Sequence, residues 1–362
     1  MSVSATAGDA SYGTIPTTLN TTADSAATAW HMPEGVPMVT LRNGSAMPGI
    51  GMGTFGSDRY DGEAVAQAVR TALTCGWRLI DCASVYGNED RIGLELEAAM
   101  RRGLPRGDLF VVSKLWNDMH GQGDVLLSCA RSLKELRLDY LDLYFVHWPF
   151  PNFHPKGAAP DYHNADARPY IHGDFMKTWR QMERLQQMGL VRNLGVSNMP
   201  VPKLKLLLRD CVIMPAAVEM ELHPTFQQQA LFDFCVAHGI QPIGYSPLGS
   251  PARPERDRTP EDVVDMADPV VVSIARAHGI HPAAVCLKWA SQRGQVPIPF
   301  SVKPEQLAAN LAAVSSDPLT AEEMARMATV EKGCRLIKGQ VFLWDGAGDW
   351  TDLWDVDGVI PE

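Results

Sequence analysis

From residue 38 onward, short apolar runs alternate with longer stretches in which apolar residues return every three or four positions. The short runs predict buried strands and the longer ones amphipathic helices. Strands are expected at 49–54, 77–82, 109–114, 140–147, 191–196, 216–221, 241–246 and 295–300. Helices are expected at 61–75, 89–102, 124–137, 174–188, 200–210, 227–238, 269–292 and 304–314. In 124–137, for example, Val125, Leu126, Cys129, Leu133 and Leu136 share one helical face. Gly76, Gly103, Gly189 and Gly239 stand just past helix ends, where a left-handed cap suits glycine. Ahead of these units, Val39 to Pro48 reads as a hairpin turning at Asn43-Gly44.

Eight strand–helix units with strands apolar on both faces predict an α/β fold, a closed (β/α)8 TIM barrel with an N-terminal β-hairpin and an extended C-terminal loop. The rival is an open, doubly wound sheet. Against it, Gly49-Ile50-Gly51-Met52-Gly53 lacks the spacing of a dinucleotide-binding turn and the acidic residue that would meet the ribose. No internal boundary is visible, so 38–362 reads as one domain. Residues 1–37 are rich in Ala, Thr, Ser and Gly and contain no Lys or Arg. They read as a mobile N-terminal extension rather than a targeting signal.

Composition narrows the function classes. The chain has 362 residues, 46% of them hydrophobic, enough for a large core. A formal charge of -10 argues against nucleic-acid or anionic-membrane partners. No apolar run approaches the ~20 residues of a membrane span. Seven scattered cysteines without a CxxC pair suggest reduced thiols and a cytoplasmic location, with no metal site.

Asp81, Lys114 and His147 end three consecutive apolar strands, and Tyr86 follows in the loop after the first of them. On a barrel, reactive side chains gather at those ends. Singly, Asp81 reads equally well as a helix cap and His147 as a structural hydrogen-bonding residue. Lys114 is harder to dismiss, because an ammonium at the end of an apolar strand needs a partner, and Asp81 can supply one. Together the four residues are the parts of a proton-donating site.

The chain resembles the aldo-keto reductases (aldose and aldehyde reductase-like) over nearly all of 38–350. The resemblance rests on Gly76 to Gly93 around Asp81 and Tyr86, Val112-Ser113-Lys114-Leu115-Trp116, His147-Trp148-Pro149, Gly195-Val196-Ser197-Asn198, Glu221-Leu222-His223-Pro224 and Tyr245 to Ser250, in that order. It implies a metal-free, NAD(P)-dependent oxidoreductase that reduces aldehydes or ketones, including aldoses, reversibly. Tyr86 would be the general acid, Lys114 held by Asp81 would ease loss of its proton, and His147 would orient the carbonyl. The resemblance also implies a cofactor path. Tyr245 would stack on the nicotinamide, Ser197 and Asn198 would hold its carboxamide, and Thr54 and Asp81 would approach its ribose. Ser246, Leu248 and Ser250 would follow the pyrophosphate, and Ser301, Val302, Lys303 and Asn310 the adenosine. Phe55, Trp116, Trp148 and His147 would form the substrate pocket. A small carbonyl or alcohol substrate and a monomer or small homo-oligomer are expected.

Two features, at three positions, depart from the family pattern. Glu219 stands where many relatives carry Gln beside the carboxamide; its charge would favour the cationic, oxidised ring. Phe300 and Gln306 replace two cations that commonly meet the 2′-phosphate, with Lys303 nearby as a substitute. The resemblance favours NADP(H), with NAD(H) left open. Residues 150–174 form an insertion with Phe150, Phe153, Tyr162, Tyr170, His154, His163 and His172, expected to act as a lid rather than a metal site. Residues 251–268 could fold over the cofactor. The tail carries Phe342, Trp344, Trp350 and Trp354, suited either to lining the pocket or to packing on the barrel. One alternative is a non-catalytic cofactor-binding interaction protein on the same barrel. Another is a glycosidase pairing Asp81 with Glu219 or Glu221.

Overall fold

The computed structural model describes residues 30–56, 59–151, 154–159, 161–251, 253–254 and 258–360. Residues 1–29 of the extension and Phe153 of the insertion lie outside the described residues. The chain opens with a hairpin, β1 (Met38–Thr40) and β2 (Ala46–Pro48), paired antiparallel around Asn43-Gly44. Gly44 takes the positive φ of 84° that the turn needs.

The repeating units follow. They are β3 (Met52–Gly53), α1 (Gly62–Cys75), β4 (Leu79–Asp81), α2 (Glu89–Arg101), β5 (Phe110–Leu115), α3 (Asp124–Leu136), β6 (Leu143–Val146) and α4 (His172–Gln187). Next come β7 (Leu194–Ser197), α5 (Val201–Asp210), β8 (Ala217–Glu221), α6 (Gln229–Ala237) and β9 (Gln241–Tyr245). The last are α7 (Pro269–His278), α8 (Pro282–Gln292), β10 (Val296–Ile298), α9 (Pro304–Ser315) and α10 (Ala321–Ala328). Strands β3 to β10 pair in sequence order, all parallel. The ring closes where Gly51 N–H donates to Pro297 O and Gly53 N–H to Pro299 O, each at 3.0 Å. This is the expected (β/α)8 barrel.

The closing seam explains the glycine run. A Cβ on Gly51 would sit 2.2 Å from Leu79 Cδ2 and 2.6 Å from Ile298 Cδ1. The glycines admit neighbouring side chains into a crowded interior rather than a phosphate to a loop. Inside the barrel, Leu79, Phe110, Val112, Leu143, Phe145, Ile243, Val296 and Ile298 form one cluster with Leu41 and Met47 of the hairpin. The hairpin therefore plugs the N-terminal mouth. In β5, Phe110 and Val112 point inward and Val111 and Leu115 pack with the helices. The period of two carries Lys114 inward as well.

Three features differ from the pattern-based expectations. The helix expected over 269–292 is two helices, α7 and α8, bent by 97°. Gly279 ends α7 at φ 64°, and Pro282 opens α8 behind His281, whose Nδ1 accepts from Ala283 N–H. Both halves bury apolar residues in one cluster, so the apolar pattern runs across the break. Helix α10 was not expected; a Thr320–Glu323 capping box starts it. Residues 30–37, grouped by composition with the mobile extension, pack on the barrel. Trp30 Nε1 donates to Arg102 O at 3.1 Å, and Val36 is buried. Among the described residues, no single helix is long and apolar enough to cross a membrane.

Replacing Gly51 with alanine should overpack the seam and cost about 1–3 kcal/mol. A urea midpoint unchanged by Gly51→Ala would contradict this account of barrel closure.

Candidate active site

Asp81 ends β4, Lys114 lies near the end of β5, His147 follows β6, and Glu219 lies on β8. Parallel pairing puts all these strand ends on one face of the barrel. Lys114 is fully buried. Its Nζ donates to both carboxylate oxygens of Asp81, each at 2.6 Å, and to Cys82 O at 3.2 Å. Glu219 Oε2 stands 3.4 Å away on the other side. Burial opposes the lysine's charge, but Asp81 and Glu219 outweigh burial and keep it protonated. Burial pushes the Asp81 carboxyl up, and Lys114 draws it back. Glu219 is pushed up to about 8 by burial and by Asp81's charge, against the pull of Lys114.

Tyr86 closes a short 3-10 turn, Ser84–Tyr86. The Ser84 hydroxyl donates to Lys114 O at 3.0 Å and pins this turn to β5. The Lys114 ammonium lies 5.5 Å from the centroid of the Tyr86 ring. Burial raises the phenol above its ordinary value, and the ammonium opposes that rise. His147 stacks edge-on against Tyr86 and Trp116, with ring centroids at 5.8 and 5.1 Å. Burial, aided by Lys114, holds this imidazole well below its ordinary value, so it is neutral. A protonated phenol, a neutral imidazole and a fixed ammonium thus share one floor, an arrangement able to give a proton to an oxygen.

Above that floor opens a cleft of about 610 Å³. Every residue expected to contact cofactor or substrate lines it: Thr54, Phe55, Asp81, Trp116, His147, Trp148, Ser197, Asn198, Glu219, Tyr245, Ser246, Leu248, Ser250, Ser301, Val302, Lys303 and Asn310. Tyr86 lines it too, while Lys114 acts from beneath. The Thr54 hydroxyl donates to Asp81 O at 2.8 Å. The Tyr245 hydroxyl donates to Asn198 Oδ1 at 2.7 Å, and Asn198 Nδ2 donates to His147 O at 3.0 Å. Asn198, Ser246 and Ser250 all hold positive φ, at 57°, 52° and 40°. Backbone strain of this kind collects at binding sites.

The aromatic wall is formed by Trp116, Trp148, Phe150, Phe342 and Trp354. Trp148 and Phe342 lie with ring centroids 4.6 Å apart. Trp354 packs inward, its Nε1 donating to Lys338 O at 2.9 Å, whereas Phe342 lines the cleft. In the insertion, His154 and His163 meet the carbonyls of Tyr162 and Val341, and His172 meets Tyr170 and Asp210. Their partners differ, and His163 ties the insertion to the C-terminal segment. Arg253, from the 251–268 stretch expected near the cofactor, lines the cleft, whereas the sequence reading missed His281, Lys338 and Val341, which also line it. Phe342 had an aromatic signal; these had none, because tertiary folding alone brings them in.

Two residues beyond Glu219, Glu221 faces a second buried cluster. His223 sits between Glu221 Oε1, at 3.0 Å, and Asp265 Oδ2, at 3.0 Å. Glu221 also accepts the Leu336 and Ile337 amides at 2.7 and 3.0 Å. The cluster joins the C-terminal segment to the 258–268 stretch, and Met266, Ile337 and Lys338 from the two line the cleft. Lys338 Nζ joins those two directly through Thr259 Oγ1 at 3.1 Å.

The model of the Aldo/keto reductase family matches residues 49–332. The chain belongs to that family. It is 38% identical over 317 residues to a Synechocystis aldo/keto reductase, covering 87% of this chain and 95% of the relative. It is 39% identical over 302 residues to bovine aldo-keto reductase family 1 member A1, covering 83% and 90%. Among solved structures it is similar to a Bombyx mori aldo-keto reductase in complex with NADP, with a TM-score of 0.74, 31% identity and coverage of 84% and 96%. The catalytic barrel of this reductase family is thus the frame in which the Lys114 cluster sits.

Burial opposes the His223 charge, but Asp265 and Glu221 push its value up to about 9. That lies above the ~6.5 of a free imidazole. Its contribution to stability is therefore full below about pH 6.5 and is lost as pH rises through about 9. The loss should be on the order of 3 kcal/mol. Urea unfolding followed from about pH 6 to about pH 9.5 is expected to show this fall, and His223→Gln to flatten it.

Proposed function

We propose that this family member is an NADP(H)-dependent reductase of aldehyde and ketone carbonyls, working reversibly with Tyr86 as the proton donor. One observation carries the reading: a fully buried ammonium between two carboxylates, beneath a phenol and a neutral imidazole that open onto a cleft. The volume and donors of the cleft suit a dinucleotide with a small substrate. Thr54, Ser197, Asn198 and Tyr245 would hold the nicotinamide half, and Ser301, Val302, Lys303 and Asn310 the adenosine half.

When bound, the cofactor supplies hydride from its nicotinamide C4. The protein supplies the rest. His147, neutral, donates a hydrogen bond to the carbonyl oxygen and fixes its direction. Tyr86 holds its proton at neutral pH because burial raises its value, and it passes that proton to the oxygen as negative charge develops there. Lys114 stabilises the phenolate that remains, and Asp81 keeps Lys114 in place. Trp116, Trp148 and Phe342 exclude water from the reacting oxygen. In the oxidative direction Tyr86 serves as the base.

The NADP-bound silkworm relative supports the choice of cofactor. So does Lys303, an exposed cation at the adenosine end. Gln306 accepts from the Ser301 hydroxyl at 2.7 Å, and Phe300 brings no charge. Lys303 therefore stands in for the two cations absent at positions 300 and 306. The aromatic wall supports aldehydes with an apolar or aromatic face, including the C–H face of an aldose. Seven unpaired cysteines support a reducing, cytoplasmic setting.

Tyr86→Phe should lower kcat for aldehyde reduction by about 10²–10⁴ while leaving NADPH binding intact. Steady-state turnover and NADPH fluorescence titration read the two effects separately. Full turnover by Tyr86→Phe would exclude the phenol as donor.

A further inference from the structure

Glu219 is the one carboxylate in the cluster that the reaction does not use. It is buried, lines the cleft, and its Oε2 has no hydrogen-bond partner. A buried carboxylate oxygen left without a donor is costly unless a positive charge answers it or the group is neutral. Lys114 answers it only in part, at 3.4 Å, since its closer contacts go to Asp81. Register places Glu219 opposite Ser197 of β7 and Ile243 of β9.

On the reductase reading above, the substrate carbonyl is held by Tyr86 and His147. The hydride-donating carbon must approach it to within about 3–3.5 Å. Glu219, Ser197, Asn198 and Tyr245, which share the floor of the cleft, would then be the residues beneath the nicotinamide ring. That ring is cationic when oxidised and neutral when reduced.

From this geometry we infer that Glu219 couples a proton to the oxidation state of the cofactor: it is protonated beside the neutral, reduced ring and ionised beside the cationic, oxidised ring. Binding of oxidised cofactor breaks the Glu219 O–H bond and releases that proton to solvent; binding of reduced cofactor does not. The groups facing Glu219 fit this assignment. Asp81 from β4 repels its charge, and Lys114 from β5 attracts it. Tyr86, His147 and Tyr245, from the turn after β4, the end of β6 and β9, face the same cleft and are uncharged. With Asp81 ionised and Lys114 protonated, the cluster is neutral while Glu219 keeps its proton. It gains one negative charge when the ring brings one positive charge. The upward push on Glu219, to about 8, leaves it mostly protonated at neutral pH before the cofactor enters.

The inference rests on the reductase reading, and the experiment separates the two. Full-length protein is titrated with NADP⁺ and with NADPH at steps from about pH 6.5 to about pH 8.5, following tryptophan fluorescence. The 2′-phosphate titrates near pH 6 in both forms and cancels in their ratio. The Kd for NADP⁺, relative to that for NADPH, should fall by up to about tenfold per pH unit and level off above about pH 8. Calorimetry in two buffers of different ionisation enthalpy should detect proton release with NADP⁺ and none with NADPH. In Glu219→Gln the NADP⁺ profile should collapse onto the NADPH profile. Parallel profiles in the unaltered protein overturn the inference alone, whether or not the variant folds. Binding of neither form overturns the reductase reading and the inference with it.

Discussion

A lysine ammonium with no access to water is the constraint around which this molecule is built. An unpaired charge in such a place costs several kcal/mol, and even a paired one contributes little net stability. Lys114 is nevertheless held by both oxygens of Asp81, by the Cys82 carbonyl and, more loosely, by Glu219. These partners come from β4 and β8, on different sides of the ring. Only a closed parallel barrel brings those strand ends to a point beneath one cleft. The cluster is better understood as positioned chemistry than as a source of stability.

The charges near Lys114 sort the neighbouring groups by role. Burial, aided by the ammonium, keeps His147 neutral, and burial keeps Tyr86 protonated, which suits the orienting and donating roles proposed for them. Strand β8 then divides its carboxylates. Glu219 faces the ammonium and the cleft floor, and Glu221 faces His223 and the C-terminal amides. One strand thereby lines the floor of the cleft with one residue and fastens the C-terminal segment with another.

Much of this was readable from the chain. The apolar strands ending in Asp81, Lys114 and His147 announced the site, because apolar runs ending in charge leave few solvated alternatives. The Lys114–Asp81 partnership followed from burial alone, and the expected cleft residues converge on one cavity. Other features had no local signature. The break between α7 and α8 hides within a continuous apolar pattern, with only Gly279 and Pro282 to mark it. The docking of Trp30 depends on Arg102, a partner far along the chain. The His223–Asp265 contact joins a strand end to a residue 42 positions along the chain, in a stretch whose Pro-, Arg- and Asp-rich composition did not name that partner. Arg253 and Lys338 line the cleft from that stretch and from the C-terminal segment.

The hairpin of β1 and β2, with Leu41 and Met47 wedged into the barrel's lower end, closes that end among the described residues and leaves the cleft open at the other. Everything that enters must leave past the same rim. That one-sided access is set by a plug at the far end of the vessel, by two short strands that contribute no residue to the lining of the cleft.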